Sequence, residues 1–176
     1  MKKSFAVLAL AGLALAAVAA VAPMTVAELS AQAQAVAAAE ILSVRAATIA
    51  TPEGSFPFLF YRARTLRAMV GALPAEFDVR VPGRVSGGKV VTLPDAPPLA
   101  VGQRFVLFLK PATGTADATW EVVGFSEGAL ALVEPAPGQE PLVVVPSSSP
   151  GRRVRVRLTD LGATVRAVRL NRGVKP

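Results

Sequence analysis

Arg104-Phe105-Val106-Leu107-Phe108-Leu109-Lys110 (RFVLFLK, residues 104–110) sets five consecutive apolar side chains between two cations. Side chains on a strand alternate between faces, so an unbroken apolar run of this length predicts a central strand buried on both sides. The proline-rich stretch Pro94–Gly102 before it is a loop, which bounds the run at strand length.

Outward from this strand the chain reads as short strands separated by turn residues. Downstream, Trp120–Phe125 and Ala129–Glu134 are strands joined at Ser126-Glu127-Gly128, and Leu142–Val145 is another. Upstream, Lys89–Leu93 is a short strand preceded by turns at Pro82-Gly83 and Gly87-Gly88. Glu76–Val81 places Phe77, Val79 and Val81 on one face and Glu76, Asp78 and Arg80 on the other. Phe56–Leu66 places Leu59, Tyr61, Ala63 and Thr65 opposite Phe58, Phe60, Arg62 and Arg64, and continues irregularly to Gly71. Thr51-Pro52-Glu53-Gly54-Ser55 is a turn by composition. Before it, Val36–Thr48 is a strand in which Ile41, Ser43 and Arg45 alternate with Leu42, Val44 and Ala46. Thr25 and Glu28 have the spacing of a capping box and start a short helix from Val26 to about Gln34. The alanine run leaves the helix-to-strand boundary soft.

After residues 147–151, a Ser/Pro/Gly linker by composition, Arg153, Arg155 and Arg157 alternate with Val154, Val156 and Leu158. This is an edge strand with one basic face. Thr159 or Asp160 is placed to cap a last short helix carrying Leu161, Val165 and Val168. The expected fold is all-β: a small antiparallel barrel with a short N-terminal helix and a C-terminal strand-helix extension.

At 176 residues the chain accommodates one domain plus a leader. It contains neither cysteine nor histidine, which excludes disulfides, thiolate-zinc sites and Ser-His or Cys-His catalysis. The net charge of +7 is localised: residues 150–176 hold eight basic side chains against Asp160, while residues 1–149 hold 11 of each sign. Arg152, Arg153, Arg155, Arg157, Arg166 and Arg169 are therefore the candidate contacts for an anionic lipid, envelope polymer or nucleic acid. A solvated basic edge that resists aggregation is the competing reading.

Lys2 and Lys3 precede an uncharged run from Phe5 to Ala22, the layout of a secretory signal peptide over residues 1–22. Ala17-Val18-Ala19, Ala20-Val21-Ala22 and Ala31-Gln32-Ala33 offer the small residues that signal peptidase requires. An uncleaved single-span anchor is the alternative. Either way the domain over 25–146 and the basic extension over 152–176 are expected in the periplasm, the envelope or the extracellular space.

The order of segments resembles a family of uncharacterised exported bacterial proteins with a small β-barrel domain. The resemblance rests on Glu28, Leu29 and Ala33 before Ile41-Leu42-Ser43-Val44, and on a strand ending at Gly71. It continues with Val79-Arg80-Val81-Pro82-Gly83, Gly102 before Phe105–Leu109, and Val122-Val123-Gly124-Phe125-Ser126-Glu127-Gly128. It spans about residues 25–134. That family usually carries a lysine before the first of these glycines, where this chain has Val70. The layout is also similar to the netrin-like, OB-type barrel of tissue metalloproteinase inhibitors, which implies protease inhibition by analogy of fold alone. Those inhibitors act through a cysteine-anchored amine, a device this chain lacks.

Three motifs invite chemistry. Gly83-Arg84-Val85-Ser86-Gly87-Gly88-Lys89 matches the core of a phosphate-binding loop, yet Val90 replaces the required hydroxyl and a strand-like segment follows. A glycine hairpin is the expected structure. Ser86 and Lys89 have nucleophile-base spacing, but Gly87-Gly88 is poor helix material. Glu121, Glu127 and Glu134 would be the carboxylates of a hydrolase acting on cell-wall or extracellular polysaccharide. Most of Phe56, Phe58, Phe60, Tyr61, Phe105, Phe108 and Trp120 belong to apolar alternation and are expected in the core. The sequence thus points to a non-catalytic binding module, with no cofactor or metal and an envelope or extracellular partner, ahead of the hydrolase and inhibitor readings.

Overall fold

The computed structural model describes residues 24–51, 54–114, 119–134, 136–146 and 152–173. The leader and the linker lie outside these residues, as does most of the turn tip at 52–53.

The capping box forms as the spacing requires. Thr25 Oγ1 accepts from the Glu28 amide at 3.2 Å and Glu28 Oε2 accepts from the Thr25 amide at 2.7 Å. The helix it starts, α1, covers Val26–Gln32. Nine strands follow in chain order: β1 (Ala35–Thr51), β2 (Gly54–Val70), β3 (Glu76–Ser86), β4 (Lys89–Thr92), β5 (Arg104–Pro111), β6 (Thr119–Val122), β7 (Ala129–Val133), β8 (Leu142–Pro146) and β9 (Arg153–Arg157). Helix α2 (Leu158–Asn171) ends the described chain.

The fold is mostly β, with a ring of five strands in the order β1-β2-β3-β6-β5 closed by β1–β5 pairing. The expectation of a wholly antiparallel sheet is corrected at one junction, where β3 and β6 run parallel. An odd-membered ring cannot alternate direction all the way round, so at least one pair must be parallel. From the ring a branch β7-β8-β9 leaves the edge of β5. β4 pairs with β3 as a side hairpin.

β5 is buried on both faces over Phe105–Leu109, and its two faces serve two cores. Phe105, Leu107 and Leu109 point into the ring with Ile41, Leu59, Phe77 and Val79. Val106 and Phe108 point outward to Leu29 of α1, Leu161 and Val165 of α2, and Val143 of β8. Burying each such side chain stabilises the fold by about 1.5–3 kcal/mol. β9 and α2 therefore complete a core that the ring strand shares.

Several local readings change. The soft helix-to-strand boundary resolves with α1 ending at Gln32, before the expected Gln34, and β1 starting at Ala35. Pairing to β2 on one edge and β5 on the other holds the alanine run as the expected strand against its helical preference. Strict alternation in β1 fails at a register shift between Ile41 and Ser43, so Ile41 and Val44 both pack on the ring interior. Pro82-Gly83 does not turn; β3 runs through it to Ser86, and a Cβ on Gly83 would meet the Val91 carbonyl oxygen at 2.7 Å. The turn is Gly87-Gly88, with φ of 56° and 73° and Ser86 opposite Lys89, as in a two-residue hairpin. The phosphate-loop string is thus a β-hairpin.

β6 stops at Val122, short of the expected Phe125, because Gly124 takes a left-handed φ of 66° and a 3₁₀ turn Phe125–Gly128 follows. α1 packs there, so close that a Cβ on Gly124 would meet Leu29 Cδ2 at 3.1 Å. Neither Thr159 nor Asp160 caps α2. Its N-cap is Arg157, and Glu140 from the preceding loop accepts from the Thr159 amide at 2.8 Å and hydroxyl at 3.0 Å. A remote carboxylate fills the role that a local side chain was expected to take.

Candidate functional site

β9 pairs with β8 along one edge, and its other edge meets no strand among the described residues. Its register sets Val154 and Val156 opposite Val145 and Val143, toward the outer core. Arg153, Arg155 and Arg157 lie opposite Pro146, Val144 and Leu142 on the outward face. The alternation expected from the sequence holds over Arg153–Arg157, while Leu158, expected to continue the strand, is the first residue of α2.

The six candidate arginines then divide. Arg157 donates to Asp160 at 2.8 Å, a contact that raises the guanidinium pKa. Arg169 donates through Nη1 to the carbonyls of Ala33 at 2.7 Å and Gln34 at 3.3 Å, tying α2 to the end of α1. Its role there is structural. Arg152, Arg153, Arg155 and Arg166 are exposed, without an ion pair among the described residues. Arg153 and Arg155 share the strand face, with Arg152 adjacent in sequence.

A second charged face escaped sequence reading as a unit. On the outer side of β1, β2, β3 and β6, four arginines meet four carboxylates. Arg45 reaches Asp78 at 2.9 Å, Arg62 reaches Glu76 at 3.1 Å and Asp78 at 3.4 Å, and Arg64 reaches Glu40 at 2.7 Å. Arg80 joins Glu121, which Lys110 also approaches at 3.9 Å. Arg45 and Arg80 stack over Phe60 and Phe58 at 4.2 and 4.8 Å from the ring centroids. Both rings thus face arginines on the outer side, with Phe60 itself buried there, whereas Tyr61, Phe105 and Phe108 belong to the two core clusters. Burial raises the Tyr61 hydroxyl pKa.

The hydrolase carboxylates do not assemble into a pair with a shared partner. Glu121 belongs to Arg80 and Lys110, Glu134 to Arg104, and Glu127 sits in the 3₁₀ turn. Ser86 and Lys89 flank the hairpin turn as cross-strand neighbours, not as a helical pair.

Several concavities open on the described surface, two of them against β3. An apolar groove of about 510 Å³ runs between Phe56–Phe58, Pro82–Arg84 and Val91–Leu93. A smaller one of about 150 Å³ opens between β3 and β6 beside Arg80, Lys110 and Phe125. The second adjoins Ser126-Glu127-Gly128, which the sequence reads as the connection between two strands. Among the described residues, no cluster of carboxylates is arranged to hold a metal ion, and no helix is long and apolar enough to cross a membrane. No protein-family model matches the chain, and no curated protein is significantly similar to it.

Proposed function

We propose that the protein is an exported, non-catalytic binding module that docks onto an anionic polymer or membrane surface of the cell envelope or extracellular space. The observation that carries this reading is the set of exposed arginines Arg152, Arg153 and Arg155 on a strand edge, with no ion-pair partner and no further strand beside them among the described residues. The local charge excess of residues 150–176 supports it. We read the scaffold as OB-type and netrin-like, a relationship supported by the five-strand ring and its Greek-key order.

Each arginine near an anionic surface contributes about 1 kcal/mol at physiological ionic strength. Replacing Arg152, Arg153 and Arg155 together with serine is expected to weaken binding to anionic vesicles by about 3 kcal/mol, roughly 150-fold. Vesicle sedimentation at several salt concentrations measures this. Equal binding by the triple variant, or binding unaffected by salt, would overturn the assignment. The compartment is tested separately, by the intact mass and cell fraction of the protein expressed with its own leader. A shortened mass outside the cytoplasm is expected, and full-length soluble cytoplasmic protein would refute export.

A further inference from the structure

We propose that the opening where β3 parts from β6 binds a small monocarboxylate with a compact apolar body. The two strands pair only at Asp78↔Thr119 and Val79↔Trp120. Beyond Val79, β3 diverges toward β4 while β6 stays with β5. The resulting cavity of about 150 Å³ is comparable to an interior cavity that accepts benzene.

Its charge is built in. Arg80 is 8% exposed, and its Nε and Nη2 both donate to Glu121 Oε1. Nη1 has no hydrogen bond among the described residues. Lys110 Nζ stands 3.9 Å from Glu121 Oε2, too far to spend its donors there. Two cations facing one carboxylate leave a single positive charge to satisfy. The guanidinium is also pre-oriented, because it stacks on Phe58. A bound carboxylate would take Arg80 Nη1 and Lys110 Nζ as charge-assisted donors. A dianion would leave one of its own charges uncompensated beside Glu121, which favours a monoanion.

The walls are apolar. Pro82, Pro97 and Phe125 line the cavity. Phe125 is the one non-glycine residue with positive φ among those described, at 53°, and it is 60% exposed. A bulky side chain in the left-handed region is strained and persists where surrounding structure imposes it. Here Gly124 precedes it, and the Ser126 amide donates to the Asp95 carbonyl at 2.9 Å. The geometry holds an aromatic ring at the cavity mouth, where it gains little burial of its own but would cover the apolar body of a ligand.

The test is a titration of the ¹⁵N-labelled full chain with sodium isovalerate, its neutral amide isovaleramide, and inorganic phosphate. Saturable shifts of the Val81, Gly124 and Phe125 amides are expected with isovalerate, at a Kd on the order of 1 mM for seven heavy atoms. Lys110→Gln and Phe125→Ala, both at exposed positions, should each weaken it about tenfold while leaving the remaining spectrum intact. The Arg152/Arg153/Arg155 serine variant should bind isovalerate unchanged, which separates this site from the β9 face. The absence of saturation by about 20 mM, some twentyfold above that Kd, overturns the proposal. So does equal binding of isovaleramide, tighter binding of phosphate, or loss of binding in the β9 variant.

Discussion

β2 and β9 are written in similar patterns and meet different fates. Each alternates arginines with apolar residues, Arg62 and Arg64 in one, Arg153, Arg155 and Arg157 in the other. β2 is flanked by β1 and β3, whose registers bring Glu40, Glu76 and Asp78 to its arginines. β9 has β8 on one side, which supplies Pro146, Val144 and Leu142, and among the described residues it finds one acid, Asp160, for Arg157. Alternation in a sequence fixes which face a charge occupies. Whether that charge is neutralised depends on the partner strand, and this difference separates a structural lattice from a surface with charge to spare.

β9 and α2 join the ring through the outer core on β5, and the largest expected effect tests whether ring and extension unfold as one body. Leu161 of α2 is buried in the outer core with Phe108 of β5. Leu161→Ala should cost about 2–4 kcal/mol. Trp120, the single tryptophan, sits on β6 in the ring and reports on that region alone. Its fluorescence and the far-ultraviolet circular dichroism should shift to lower urea together. If the helical signal moves while the Trp120 transition stays, β9 and α2 unfold separately and the comparison joins two independent bodies.

A smaller effect comes from making the β2 face resemble β9. Asp78→Asn removes the carboxylate shared by Arg45 and Arg62. Exposed pairs of this kind contribute little, so a loss of about 0.5 kcal/mol is expected. Binding should respond in the opposite direction, because the face loses one of its four carboxylates and so gains one positive charge. Later elution from immobilised heparin is the expected result. Unchanged elution would show that balance on this face does not control its attraction for polyanions.

Legibility in the sequence followed the range of the interaction. RFVLFLK could be read as a doubly buried strand because five adjacent residues carry the whole signal. The Thr25–Glu28 cap and the Gly87-Gly88 turn were equally local. The many short strands predict a barrel, but which strands close it was not legible, since β1–β5 pairing joins Ala35 to Leu109 and β3–β6 pairing joins Val79 to Trp120. The same limit divided the candidate site. The outward face of β9 followed from alternation, whereas the engagement of Arg169 depends on the Ala33 carbonyl, 136 residues away. Arg80 reads as an exposed strand residue, and only its contact with Glu121, 41 residues on, places it at a cavity.

The gentlest way to probe the β2 lattice is pH. Arg64 donates to Glu40 at 2.7 Å, and this hydrogen bond lowers the Glu40 pKa below its ordinary value. A carboxyl with a depressed pKa in the folded state stabilises the fold above its unfolded pKa of about 4.3, and that contribution disappears as pH falls through the folded value. Glu40→Gln should therefore lower the urea midpoint slightly at pH 7, with the gap to the natural protein closing as pH falls below about 4. The triple β9 variant should show no such convergence, because Arg152, Arg153 and Arg155 have no carboxylate partner among the described residues to protonate. A Glu40→Gln gap that persists at low pH would mean that the side chain contributes through packing. The β2 lattice would then differ from β9 in shape more than in charge.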